Sequence, residues 1–160
     1  MFSVSATTRN KRHYEVDGED YYFLTNADFQ QRIQNQQFLE FEEVYAGTLY
    51  GTLKSEVNRI WEQDCSVIFD VDVKGAETIK NYYGNSALAV FVRPPSYEIL
   101  EERLILRNTE SESSLKKRLE RVKLEMTYES KFDYSLVNDD LNIAKEEAFK
   151  VVDEFLNKII

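Results

Sequence analysis

The sequence is poor in cysteine, histidine and proline, and each shortage closes off a class of protein. Cys65 is the single cysteine among 160 residues. No disulfide framework and no thiolate metal cluster can form within one such chain, and a small core residue in a reducing compartment is the plain reading. His13 is the single histidine, and without a serine, cysteine or metal-ligand pattern around it neither a Ser-His-Asp triad nor a histidine metal site is expected. Two prolines and five glycines argue against collagen-like, low-complexity and disordered chains. Apolar runs are short. Residues 87–92 are typical, far below the roughly 20 that cross a bilayer. The amino terminus, Met-Phe-Ser-Val-Ser, has no basic stretch leading into an apolar one, so no secretory signal is expected and a cytoplasmic location follows. Positive charge is scarce too: 20 Lys and Arg against 29 Asp and Glu leave a net charge of −9. Long-range attraction to a nucleic acid polymer or an anionic membrane is therefore not expected.

What is present describes an α/β protein of about one domain. Residues 67–71 (Val-Ile-Phe-Asp-Val) and 87–92 (Ala-Leu-Ala-Val-Phe-Val) read as strands covered on both faces, as in a parallel sheet. Residues 134–137 and 2–5 are further candidates. Helical periodicity predicts helices near 74–83, 96–107, 112–129 and 142–158, the last with Ile143, Ala144, Ala148, Val151, Val152, Phe155, Leu156 and Ile159 on one face. Alternating strands and helices imply right-handed βαβ units. Residues 20–52 differ: 20–24 and 38–44 are strand-like with polar alternation and flank a short helix near 27–35 that Asn26 can cap. A small, partly antiparallel lobe inserted in the core is the simplest arrangement. Thr109 with Glu112 fits a capping box opening the helix that carries Lys116, Lys117, Arg118 and Arg121. Pro94 and Pro95 end the preceding strand, and Ser96 can cap the helix after them.

Several residues can carry chemistry. Arg9, Lys11 and Arg12, beside Ser5, Thr7 and Thr8, suit a phosphate group, because guanidinium forks match its oxygens and hydroxyls add donors; the same run also reads as a solvated loop. Tyr21 and Tyr50 offer phenolic donors or half-buried packing. Glu40 sits in a strand-like run of ambiguous phase. Facing a pocket, its carboxylate suits guanine, whose edge offers adjacent N1–H and N2–H donors; facing away, it is an exposed strand glutamate. Thr52 can donate to guanine O6 or cap the helix that starts there. Asp70 and Asp72 end a buried strand at the carboxyl edge, where aspartates hold Mg²⁺ through water or accept from a substrate. Arg103, Arg107 and Arg118 can neutralise transferring phosphates or lie on ordinary helix surface.

Taken in order, residues 2–9, 15–23, 38–40, 50–51, 69–75 (Phe-Asp-Val-Asp-Val-Lys-Gly), 94–96, 107–110 and 137–140 (Val-Asn-Asp-Asp) resemble the guanylate kinase family essentially end to end. The resemblance implies a single domain over 1–160 with a parallel-sheet, phosphate-loop-kinase-like core and helices on both faces, a mixed β lobe for GMP at about 5–64 and a helical lid at about 107–125. It implies transfer of a phosphoryl group from ATP to GMP with Mg²⁺. By position Ser5, Glu40, Thr52 and Asp72 resemble the guanine contacts, and Arg9, Arg12, Tyr21 and Tyr50 the phosphate clamp. Asp70 resembles the aspartate near Mg²⁺, Arg103, Arg107 and Arg118 the arginines around the transferring group, and Asn138 the residue beside adenine. Two departures stand out. Asn108 replaces a glycine, a mild change because asparagine tolerates the left-handed region. The family's opening strand, phosphate loop and first helix have no counterpart, and no Gly-x-x-x-x-Gly-Lys-Ser/Thr occurs in the 160 residues. The chain is therefore expected to bind GMP, to lack kinase activity alone and to self-associate through exposed sheet edges. A catalytically silent guanylate-kinase-like module that binds protein or nucleotide is the alternative.

Overall fold

The structure, a computed structural model, describes residues 1–45, 47–107 and 112–159. They form two compact units, residues 1–82 and 83–160.

The first unit is built on a four-stranded mixed sheet. In chain order its elements are β1 (Ala6–Thr7), β2 (Tyr22–Phe23), α1 (Asn26–Gln34), β3 (Phe38–Tyr45), β4 (Thr48–Leu53), α2 (Lys54–Trp61) and α3 (Val73–Tyr83). The strand order is β2-β1-β4-β3; β1 runs parallel to β2 and antiparallel to β4, and β3 is antiparallel to β4. The strand expected over 20–24 keeps only Tyr22 and Phe23, with one bridge from Tyr21 to Asp17. The cap of α1 is Thr25, not Asn26. Its Oγ1 accepts from the Asp28 amide at 3.1 Å and donates to Asp28 Oδ2 at 2.7 Å, a reciprocal pair that Asn26, already inside the first turn, cannot make.

Register explains how the sheet divides its two faces. Phe38 pairs with Leu53, but Glu40 pairs with the very next residue, Thr52, so Leu39 is one extra residue and β3 is bulged there. Simple alternation would put Phe38 and Glu40 on one face. The bulge separates them. Phe38 joins Ala6, Phe29 and Leu53 in a core completed by Tyr22, Leu24, Ile33 and Leu49, with the Phe29 and Phe38 rings stacked at 4.3 Å. Glu40, paired with Thr52, takes the other face, followed by the Glu42–Tyr50 pair.

Residues 2–5 and 67–71 pair only through a parallel bridge from Phe2 to Ile68. Two-sided burial, which made 67–71 read as a strand, is not realised: Phe2 is 69% and Ile68 46% exposed.

The second unit holds β5 (Val90–Arg93), α4 (Tyr97–Arg107), α5 (Glu112–Met126), β6 (Tyr134–Val137) and α6 (Leu141–Ile159). β5 and β6 pair in parallel from Val90–Tyr134 to Arg93–Val137. β5 stops at Arg93, before the two prolines, and Ser96 Oγ accepts from the Ile99 amide at 3.3 Å as its capping role required. The four expected helices appear within a few residues of their predicted ends. On α6 the apolar face is only partly covered: Ala144 is buried, while Ile143, Val152 and Leu156 stay exposed because β6 meets one side of that face. The Thr109 capping box lies outside the described residues.

The bulge leaves Gly51 no room for a side chain. A Cβ there would lie 2.6 Å from the Glu40 carbonyl oxygen and 2.8 Å from Phe41 Cβ. Both are fixed by the β3–β4 ladder. Gly51→Ala should therefore destabilise the chain by about 1–3 kcal/mol, seen as a lower urea midpoint at unchanged slope; an unchanged midpoint would contradict the bulged geometry.

Candidate functional site

The face of the first unit's sheet opposite the core carries a cavity of about 270 Å³. Ser5 precedes β1, Tyr21 precedes β2, Glu40, Glu42 and Val44 come from β3, and Tyr50 and Gly51 from β4; Asp70, Val71 and Asp72 close it from the segment before α3. Five of the eight residues expected to contact GMP thus line one cavity: Ser5, Tyr21, Glu40, Tyr50 and Asp72. Asp70 joins them. Thr52 stands behind Glu40, its buried hydroxyl donating to Glu40 Oε1 at 2.7 Å. It does not cap α2, whose first turn makes no side-chain cap bond. Asp72 Oδ1 accepts from the amides of Lys74 at 3.2 Å and Gly75 at 2.9 Å, which fixes the start of α3.

The two clamp arginines part company. Arg9 forms a fork on Glu15, Nη2 to Oε1 at 2.6 Å and Nη1 to Oε2 at 3.0 Å, and its guanidinium lies over the Tyr21 ring at 5.4 Å. Neither arginine lines the cavity, but Arg9 meets its wall at Tyr21, whereas the Arg12 side chain is 59% exposed and its Nη1 donates to the Tyr14 hydroxyl at 3.0 Å. The main chain of Arg12, by contrast, is used: its amide donates to Glu15 Oε2 at 2.7 Å.

Three glutamates of this unit are buried, Glu15, Glu40 and Glu56, and their partners differ. The Arg9 fork holds Glu15 down to about 2, against desolvation and with help from the Arg12 amide. For Glu56, burial pushes upward, but a two-pronged contact from Arg59, the Val4 amide and the Tyr22 hydroxyl outweigh it and lower the pKa. Glu40 has a hydroxyl where the others have a guanidinium. Burial raises its pKa, the Thr52 bond offsets part of this, and the nearby Asp72 and Glu42 charges raise it further. Lys74, in the first turn of α3, is engaged elsewhere, its Nζ with Glu42 Oε2 at 3.4 Å. The cavity wall is thus rich in acceptors, and one of them is a buried carboxylate that pairs with no cation among the described residues. Such a wall suits a ligand edge made of N–H donors.

Sequence reasoning assigned no part to Glu15 or Glu56. An acidic residue six positions after Arg9 inside a basic run is a signal for the first; an acidic residue next to the apolar Val57 and Ile60 positions of α2 is one for the second.

In the second unit Arg103 donates from Nη1 to the Asn138 carbonyl at 2.7 Å and from Nη2 to the Asp139 carbonyl at 3.3 Å, tying α4 to the end of β6. Arg118 is half-buried on α5. The Arg107 side chain and residues 108–110 lie outside the described residues. Among the described residues no group of three or more His, Cys, Asp or Glu could hold a metal, and no helix is long and apolar enough to cross a membrane.

The fold and the cavity define the class first: a mixed α/β protein whose small sheet carries a polar, carboxylate-lined pocket. Within that class, the model of the family described as guanylate kinase matches residues 1–159. The guanylate kinases of Porphyromonas gingivalis and Bacteroides thetaiotaomicron are each 48% identical over 157 residues, covering 98% of this chain and 84% and 77% of theirs. The crystal structure of guanylate kinase from Anaplasma phagocytophilum superposes with a TM-score of 0.77 at 26% identity, over 99% of this chain and 75% of that one. The chain belongs to the guanylate kinase family.

The buried glutamates carry opposite pH signatures. Glu15 has a folded pKa of about 2 against an ordinary 4.5, so its stabilisation is present above 4.5 and is lost as pH falls toward 2. Glu40 is raised above 4.5, so its contribution is full below 4.5 and is lost as pH climbs through the folded value. Melting curves from pH 3 to 8 should show Glu15→Gln less stable than the parent at neutral pH, with the gap closing in acid. Glu40→Gln should be more stable than the parent at neutral pH, with that gap closing toward pH 4.5. Parallel curves for both variants would contradict these assignments.

Proposed function

We propose that the cavity binds GMP, with Glu40 reading the guanine edge, and that the chain serves transfer of a phosphoryl group from ATP to GMP, giving ADP and GDP. The observation that carries this is the buried Glu40 carboxylate, held by Thr52 and lining the cavity with no cation partner among the described residues. Guanine presents N1–H and N2–H side by side, two donors for one carboxylate; adenine presents an acceptor and a donor. Ser5 and Asp72 supply further polar contacts to the base. The phosphate end is assigned to the Arg9 side, where the Tyr21 ring and the Tyr50 side chain flank a guanidinium whose orientation Glu15 fixes. Arg12, whose exposed guanidinium meets the Tyr14 hydroxyl and, at 3.9 Å, Glu15, joins the clamp by turning inward.

For the phosphoryl group, Arg103, Arg107 and Arg118 supply the positive charge that the transition state needs on its peripheral oxygens. Asn138 is assigned to the adenine side. Asp70, an exposed single carboxylate at the cavity, fits Mg²⁺ chemistry, because that ion keeps several waters and takes one or two carboxylates plus substrate phosphates. When bound, the ion neutralises phosphate charge; Asp70 would hold it through water. Residues 5–64 are assigned as the GMP lobe and 107–125 as the lid, and the place of action as the cytoplasm. No Gly-x-x-x-x-Gly-Lys-Ser/Thr pattern, the kind whose amides and lysine cradle ATP phosphates, occurs among the 160 residues, and this supports the reading in which residues 1–160 by themselves bind GMP without turnover. The exposed Phe2 and Ile68, bridged only to each other, support self-association along that edge.

Titration calorimetry of the 160-residue chain with GMP and AMP tests the guanine reading. GMP should bind more tightly, and Glu40→Gln should weaken GMP by about 1–3 kcal/mol, the penalty for one unmet donor, while leaving AMP unchanged. Equal affinities in the parent would remove Glu40 from its role. An ADP-release assay run beside light scattering tests the rest. The expected result is background turnover from an associating species; full turnover from a monomer would overturn the assignment of where ATP phosphates are held.

A further inference from the structure

We infer that Gly75 is a positioning residue for base selection: its missing side chain gives the Glu40 carboxylate the space in which it is aimed at the cavity. The inference rests on the reading of Glu40 as the guanine contact. Gly75 is buried in the first turn of α3, and its φ does not lie in the left-handed region that calls for glycine. In a helix glycine is a poor choice on conformational grounds alone. Space is the remaining reason. A Cβ on residue 75 would lie 2.9 Å from Glu40 Oε2, 3.3 Å from Glu40 Cδ and 3.2 Å from Val71 Cβ.

The carboxylate is therefore bounded on two sides. Thr52 holds Oε1 by a 2.7 Å hydrogen bond, and the bare Cα of Gly75 backs Oε2. Gly75 itself cannot retreat, because its amide is committed to Asp72 Oδ1 at 2.9 Å and Asp72 lines the same cavity. The tightest contact of a methyl group at position 75 is the movable end of the Glu40 side chain, with Val71 Cβ next at 3.2 Å, in contrast to position 51, where the tightest contact is backbone. The outcome at 75 is a turned carboxylate in an intact fold, and a turned carboxylate no longer presents both lone-pair directions to two adjacent N–H groups. Phosphate contacts, which lie with Arg9, are unaffected.

The test is calorimetry with GMP and AMP on the parent, Gly75→Ala, Glu40→Ala and the double variant, with melting temperatures alongside. The expected result is a parent that prefers GMP, and a Gly75→Ala variant that melts no lower than the parent yet loses at least about tenfold in GMP affinity with AMP unchanged. In the Glu40→Ala background the same change at 75 should have no further effect on GMP, because the group it displaces is gone. If Gly75→Ala lowers GMP and AMP together, or lowers GMP equally in the Glu40→Ala background, it acts by some route other than Glu40 and the inference is overturned. If Gly75→Ala binds GMP as the parent does, the inference fails while the reading of Glu40 stands. If the parent itself does not distinguish GMP from AMP, the guanine reading fails and this inference with it.

Discussion

One extra residue in β3 governs the first unit. With Phe38 opposite Leu53 and Glu40 opposite Thr52, the bulge at Leu39 turns an aromatic ring toward α1 and a carboxylate toward the cavity only two residues later. Hydrophobic burial on the α1 side then anchors the strand, since Phe38 stacks on Phe29, which is fully buried. That anchor holds Glu40 in a place its own solvation would reject. Just past the bulge, the Glu40 carbonyl and Phe41 Cβ occupy the place a Cβ on residue 51 would need, which is why that residue is a glycine. Packing on one face thus sets the chemistry of the other.

Buried carboxylates follow a division of labour. Glu15 and Glu56 are each gripped by an arginine, and each organises chain around itself: Glu15 gathers the Arg9 side chain and the Arg12 amide, and Glu56 joins the Val4 amide, the Tyr22 hydroxyl and Arg59. Those pairs lower the carboxylate pKa and tie it to folding. Glu40 has its pKa raised and a neutral partner. A site that must exchange protein contacts for ligand contacts cannot spend its acceptor on an internal cation, because releasing that cation would leave a second buried charge unpaired. The carboxylate least satisfied inside the fold is the one with capacity for a ligand.

The sequence made the helices legible, because a 3.6-residue period over ten or more positions is hard to mimic; residues 73–83, 97–107 and 141–159 lie where periodicity placed them. The parallel pair at 90–93 and 134–137 was legible for the same kind of reason, as short runs with strand-like apolar residues. The phase of Glu40 was not. Period-two reading assumes regular alternation, and the bulge breaks it at the residue before the one that matters. Residues 67–71 misled in the other direction: their apolar run signals two covered faces, while in this structure Ile68 is exposed and bridges only Phe2. At 25–26 the cap was missed by one residue, since both Thr25 and Asn26 are cap formers and only the reciprocal bond with Asp28 distinguishes them. The Arg9–Glu15 pair escaped notice because a six-residue separation inside a loop has no period.

A chain with a net charge of −9 that binds an anionic nucleotide has to do so at short range. Beyond the Debye length of about 8–10 Å its overall field is screened in salt, so neither attraction nor repulsion reaches far. Close in, the site sorts its contacts by type. The wall that includes Glu40, Glu42, Asp70 and Asp72 repels phosphate and welcomes N–H donors, which under the proposed reading sets the base against β3 and the anionic end toward Arg9. The Glu15 fork that neutralises much of the Arg9 charge also fixes the guanidinium plane over Tyr21. The loss in attraction is offset by a donor group already held in position, with less side-chain freedom to give up on binding. Orientation, not net charge, is what this arrangement supplies, and it is the property that transfer to a defined phosphate oxygen requires.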